Sequence, residues 1–195
     1  MGRASLRSYR ETAMYALIAY GSKMGGTAGI AELVGALFKE AGHDVDVRSG
    51  AEVDDVSRYD VVIVGGALYA NWWHRDARRV VKRFSGELQG KPVWLFSSGP
   101  LDDTAAQADL PPVKQVQRFM ERIGARGHVT FGGRLPADAK GFPASAMAKT
   151  HAGDWRDPEH IRRWTREVLS ALEQTARAPR EEARPGPAPP MQPGA

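Results

Sequence analysis

Residues 21–27 read Gly21-Ser22-Lys23-Met24-Gly25-Gly26-Thr27 and lie between a short apolar run and a stretch of helical periodicity. Two hydroxyls, flexible glycines with open backbone N–H groups and the positive end of a helix would converge there, which makes a cradle for a phosphate. Neither GxxxxGK[ST] nor GxGxxG is present, so this is not a nucleotide loop of either of those kinds. A second group, Gly66-Ala67-Leu68-Tyr69-Ala70-Asn71-Trp72-Trp73-His74, follows another apolar run. Tyr69, Trp72 and Trp73, with Leu68 beside them, would suit a flat, electron-poor ring by stacking. A third, Ser97-Ser98-Gly99-Pro100-Leu101-Asp102-Asp103, offers hydroxyls and an N–H beside a glycine. Its acidic pair reads as helix-capping or solvated rather than catalytic. The plainer alternatives are a glycine-rich turn for the first group and a helix cover or subunit contact for Trp72 and Trp73.

Other chemistry is excluded or weak. With no cysteine there is no disulfide, iron–sulfur cluster, thiolate zinc or cysteine nucleophile, and a reducing compartment is permitted. No pair of histidines has metal-ligand spacing with a third ligand nearby, so no metal is expected. His74-Arg75-Asp76 imitates a kinase triplet without the rest of that signature. His151 and Asp154 are tempting as an acid–base pair, but a loop histidine is more often idle.

The elements that must position these groups follow from the apolar pattern. Met14–Tyr20, Val61–Gly65 and Val93–Phe96 are continuous apolar strands of the doubly buried kind. Val45–Arg48 alternates, as at a sheet edge, and Val129 with Phe131 marks a second edge. Ile30, Leu33, Val34, Leu37 and Phe38 follow helical spacing and stop at Gly42. Val80, Val81 and Phe84 form a shorter stripe, with Asn71 as its expected cap. Pro111-Pro112 opens a helix carrying Val113, Val116, Phe119, Met120 and Ile123 and closed by Gly124; Asp157-Pro158-Glu159 opens the last helix. Strands alternating with helices predict an α/β three-layer sandwich with a five-stranded parallel sheet. An edge-like second strand beside a central first predicts the order 2-1-3-4-5, with the ligand at the switch point between strands 1 and 3. Residues 134–156 read as a long connection at the same end of the sheet, suited to a substrate lid.

On these residues the sequence resembles the flavodoxin superfamily. That family's phosphate loop has the form [ST]-x-[ST]-G-x-T, which Ser22-x-x-Gly25-x-Thr27 matches except for Met24, a change that costs one donor and that Lys23 could offset. The likeness covers roughly residues 14–173. It is greatest to the flavodoxin-domain group that includes menaquinone-dependent protoporphyrinogen dehydrogenase. The matching runs are Gly65-Gly66-Ala67-Leu68-Tyr69 with Trp73-His74, Phe131-Gly132-Gly133-Arg134-Leu135 through Met147-Ala148-Lys149, and Gly153-Asp154-Trp155. The resemblance implies FMN, its phosphate held by Ser22, Lys23, Met24, Gly25, Gly26 and Thr27. It implies a ring flanked by Leu68, Tyr69, Trp72 and Trp73, whose polar edge meets Ser97, Ser98 and Gly99.

Charge and composition set the partners. The chain has 195 residues and a net charge of +4. Six of the 27 basic and three of the 23 acidic side chains lie before Met14 or after Ala176, which leaves 21 and 20 in the body. The basicity therefore belongs to the ends, and a nucleic-acid partner is not expected. Residues 1–13 and the Pro-rich residues 177–195 are expected to be disordered around a domain at 14–176, and Met14 is an alternative start. The longest apolar run, Val61–Ala70, is half of a membrane span, so no transmembrane segment is expected. The expectation is a cytoplasmic FMN oxidoreductase acting on a small redox molecule such as a quinone or porphyrinogen. The alternatives are a one-electron carrier serving a redox partner protein and a flavin-free scaffold; a homodimer is left open.

Overall fold

A computed structural model describes residues 13–141 and 144–182. Five parallel strands form the sheet: β1 (Tyr15–Gly21), β2 (Asp44–Ser49), β3 (Val61–Tyr69), β5 (Val93–Ser98) and β6 (Gly127–Phe131). They run side by side as β2-β1-β3-β5-β6, which is 2-1-3-4-5 among the parallel strands, as the sequence predicts. The two-residue β4 (Trp72–Trp73) turns back antiparallel on the end of β3.

Helices cover both faces, because a strand row buried on each side needs an apolar layer above and below. On one face α1 (Gly26–Glu40) and the last helix, α7 (Pro158–Glu182), pack Ile30, Val34, Phe38, Ile161, Trp164 and Val168 onto Ile18, Ile63, Phe96 and Phe131. On the other, α2 (Arg75–Arg83), α3 (Ser85–Gln89) and α5 (Lys114–Ile123) bring Val80, Val81, Leu88, Val116 and Ile123 onto Leu17, Val62, Val64 and Leu95. The one-turn helix α4 (Thr104–Gln107) follows β5. Gly124 closes α5 with φ 64°, the left-handed stop expected there.

Three local expectations change. The segment after Gly65 continues as strand, and Ala70 and Asn71, with φ 48° and 63°, make a two-residue hairpin turn. Positive φ at both central positions matches the twist of the flanking strands, and Asn tolerates it well. Asn71 is thereby used in the turn, so the cap of α2 falls to His74, whose Nδ1 accepts from Asp76 N–H at 3.3 Å. Ser97 and Ser98 lie in β5 rather than after it. Finally, 134–156 is not a bare loop: β7 (Arg134–Leu135) and β8 (Gly153–Asp154) pair antiparallel around α6 (Ala144–His151). The last helix runs past Ala176 to Glu182; residues 1–12 and 183–195, and the expectation of disorder placed on them, lie outside the described residues.

Candidate functional site

The carboxyl ends of β1, β3 and β5 meet where the sheet order reverses, and the three sequence groups converge there. Gly25 turns the chain out of the β1 loop with φ 76°, a conformation that favours glycine, and starts α1 with its carbonyl accepting from Gly29 N–H at 3.0 Å. No acidic residue occupies the first turn of α1, so its positive end is left uncompensated by its own sequence. Thr27 is only 1% exposed, and its Oγ1 lies 2.9 Å from Ser98 Oγ. That buried hydroxyl pair ties the cradle to the end of β5. The Ser22 Oγ is buried as well and has no hydrogen-bond partner among the described residues. Lys23 and Gly25 are exposed, Met24 is half-buried and Gly26 is buried.

The β3–β4 hairpin forms the second wall. Tyr69 and Trp72 are 40% and 59% exposed. Partial burial raises the Tyr69 phenol's pKa, against a smaller lowering by the nearby Lys23 backbone. The Arg78 guanidinium lies over the Trp72 ring at 6.0 Å. Trp73 corrects the expectation. Adjacent strand residues point to opposite faces, so when Trp72 faces out its neighbour faces in. Trp73 is 1% exposed, packs beside Phe119 and presents no open face to a ligand. Gly66 makes this possible, since any Cβ there would run into the Trp73 indole. On the opposite face of β3, Gly65 lies under the Phe96 ring in the same way.

The third wall splits by the same alternation. Ser98 faces Thr27, whereas Ser97 points to the other side of the sheet, where its Oγ lies 2.9 Å from His128 Nε2. Leu68 packs against Gly99: a Cβ on Gly99 would come within 2.8 Å of Leu68 Cβ. Asp102 caps its own turn, with Oδ1 accepting from the Thr104 backbone N–H at 3.0 Å, as expected of a non-catalytic acid. His151 and Asp154 do not form a dyad: His151 Nδ1 lies 2.7 Å from Thr150 Oγ1, and Asp154 is bound to Arg156.

Sequence reasoning places residues 134–156 at this end of the sheet but misses the contacts by which they reach the cradle. Gly133 N–H donates to Pro100 O at 2.7 Å and Trp155 N–H to Gly133 O at 3.0 Å, which seats the β7–β8 hairpin over the ends of β5 and α1. A Cβ on Gly26 would lie 3.1 Å from Arg134 Cβ. Arg156 Nε donates to Asp154 Oδ1 at 2.7 Å and Nη1 reaches Gly26 O at 3.4 Å. The signal was the Gly132-Gly133 pair after a strand: a Cβ on Gly132 would collide with the Trp155 carbonyl, so the close chain crossing requires glycine.

A separate groove of about 570 Å³ runs along the outer edge of β6, between α7 and Asp109–Pro112, and shares no residue with the cradle. Among the described residues no cluster of metal-ligating side chains occurs and no helix is long and apolar enough to cross a membrane.

Comparison with known proteins agrees with this geometry. A flavodoxin domain family model matches residues 17–143, well over half of the chain. No curated protein sequence matches. Among solved structures the chain is similar to flavodoxin 1 from Bacillus cereus, with a TM-score of 0.55, 16% identity, and 80% of this chain and 97% of that one covered. It is also similar to a flavodoxin from the domain Archaea, at TM-score 0.54, 18% identity, and 82% and 99% coverage. For the flavodoxin of Streptococcus pneumoniae TIGR4 the values are 0.52, 21%, and 80% and 99%. The residues present suit FMN: a buried Ser22 hydroxyl without a partner among the described residues and a helix end with no acidic residue in its first turn fit a phosphate, beside exposed aromatic faces for a ring. The chain therefore belongs to the flavodoxin-domain family, and its cofactor is FMN.

Proposed function

We propose that this chain is an FMN-dependent oxidoreductase that exchanges two electrons with a small redox molecule, a quinone or porphyrinogen being the expected class. The observation that carries the reading is the β7–α6–β8 strap: its hairpin packs against the first turn of α1 and the loop after β5, an added cover at the carboxyl end of the sheet that suits a small substrate better than a docking protein. The likeness of Phe131–Leu135, Met147–Lys149 and Gly153–Trp155 to the group containing menaquinone-dependent protoporphyrinogen dehydrogenase falls within the same region. Near-equal numbers of basic and acidic side chains in the body also leave little net charge to steer a protein partner.

FMN supplies the electron transfer; the protein binds, orients and tunes it. Ser22, Gly25, Gly26 and Thr27 hold the phosphate, with Met24 as an apolar spacer and Lys23 at the rim. Tyr69 and Trp72 offer faces to the ring and Leu68 supports Gly99, whose loop meets its polar edge. Ser98 acts by holding Thr27, whereas Ser97 and Trp73 lie too deep to touch the cofactor and support the strands that carry the site. A cytoplasmic location accords with a cysteine-free sequence.

One observation favours a second reading. Trp72, at 59% exposure beside the site, suits a one-electron carrier that presents its cofactor to a redox partner. Reduction of the FMN-loaded protein followed by mixing with a soluble quinone separates the two. The oxidoreductase reading expects reduction in one two-electron stage and reoxidation by quinone well above the rate of free FMN. Two resolved one-electron stages with no gain over free FMN decide for the carrier.

A further inference from the structure

We infer that Arg134, carried to the cradle by the β7–β8 hairpin, contacts the FMN phosphate and sets the preference of this site for FMN over riboflavin; the inference rests on the cofactor assignment above. The hairpin delivers two arginines to the positive end of a helix. Cations there are unfavourable unless an anion joins them, and the first turn of α1 contains no carboxylate to offset them.

The two arginines divide their work. Arg156 is committed: it is bound to Asp154 through Nε and Nη2, reaches Gly26 O at 3.4 Å, and feels Glu32 further along α1. Arg134 is not. It is exposed, pairs with Asp154 through the strand register, and makes no side-chain hydrogen bond or ion pair with any described residue, although the charge of Asp154 reaches it. Lys23, on the other rim, likewise has no such partner among the described residues. With Arg156 paired to Asp154, Lys23 and Arg134 leave about two positive charges on residues of the cradle's rim, to match a phosphate monoester of about −1.5 to −2 at neutral pH.

Position agrees with charge. Arg134 Cβ and backbone N would lie 3.1 and 3.3 Å from a Cβ on Gly26, directly against the first turn of α1. Its long side chain starts at the cradle, and the planar fork of donors matches phosphate oxygens. The donor lost where Met24 replaces a hydroxyl is thus supplied from the far end of the sequence. Ser22 Oγ, buried and without a partner among the described residues, belongs to the same cradle loop.

The test is the affinity for FMN and for riboflavin, read by quenching of flavin fluorescence, in the full-length protein and in Arg134→Met and Arg134→Lys. Arg134→Met should weaken FMN about tenfold, leave riboflavin within twofold and flatten the salt dependence of FMN binding. Arg134→Lys should recover part of the loss, and the unliganded melting temperature should stay unchanged because the side chain is exposed. Equal losses for both flavins, or no loss for either, would overturn the role of Arg134. Failure of the wild-type protein to bind FMN would instead overturn the cofactor assignment, and this inference with it.

Discussion

His128 makes the stability of this fold sensitive to acid. It lies on β6 with Nε2 2.9 Å from Ser97 Oγ, while its Nδ1 is buried and has no partner among the described residues. Burial alone pulls its pKa down from 6.5 to about 4. The folded protein therefore holds His128 neutral, whereas the unfolded chain takes up a proton below pH 6.5. In that window the unfolded state binds more protons, so stability falls as the pH drops from 6.5 toward 4 and levels off below. At about 1.36 kcal/mol per pH unit the loss from this residue is about 2.5 kcal/mol at pH 4.5, against roughly 5–15 kcal/mol for a typical domain. His43, His74 and His160 are displaced in the same direction, each chiefly by burial, and add to the trend. His128→Gln replaces the ring with an amide that does not titrate. Urea unfolding followed by tryptophan fluorescence at pH 7 and pH 4.5 gives the difference for each protein. The variant should lose about 2.5 kcal/mol less than wild type between the two pH values, whatever its stability at pH 7. An equal acid loss in both proteins would refute the reasoning, because the proton would then be binding elsewhere.

The two tryptophans of β4 should separate cleanly. Trp72→Leu should weaken FMN by roughly 0.5–1.5 kcal/mol with little change in melting temperature. Trp73→Leu should instead destabilise the fold by about 2–4 kcal/mol through the cavity left beside Phe119, measurable by urea unfolding. Thr27→Ala should lower FMN affinity by about ten- to a hundredfold, the worth of a hydrogen bond to a charged group, with riboflavin much less affected. It should also cost about 1–3 kcal/mol of stability by orphaning Ser98 Oγ. Adding Ser98→Ala should restore the stability and not the FMN affinity.

Much of this molecule is written locally. The apolar runs at Val61 and Val93 need two covering layers, and an alternating second strand belongs at an edge, so sheet order and helix layers follow from patterns a few residues long. The cradle was legible for the same reason: its glycines, its hydroxyls and the helix start are neighbours in sequence, and helix geometry alone brings their donors together. What tertiary structure decided depends on parity and distance. One hairpin turn at Ala70-Asn71 determines which of two adjacent tryptophans faces the site and which joins the core. Ser97 and Ser98 part company by the same alternation. Arg134 and Arg156 reach the first turn of α1 only because Gly132 and Gly133 let the chain cross Trp155 closely. No short-range pattern encodes that meeting, since it joins segments more than a hundred residues apart and depends on how two backbones fit.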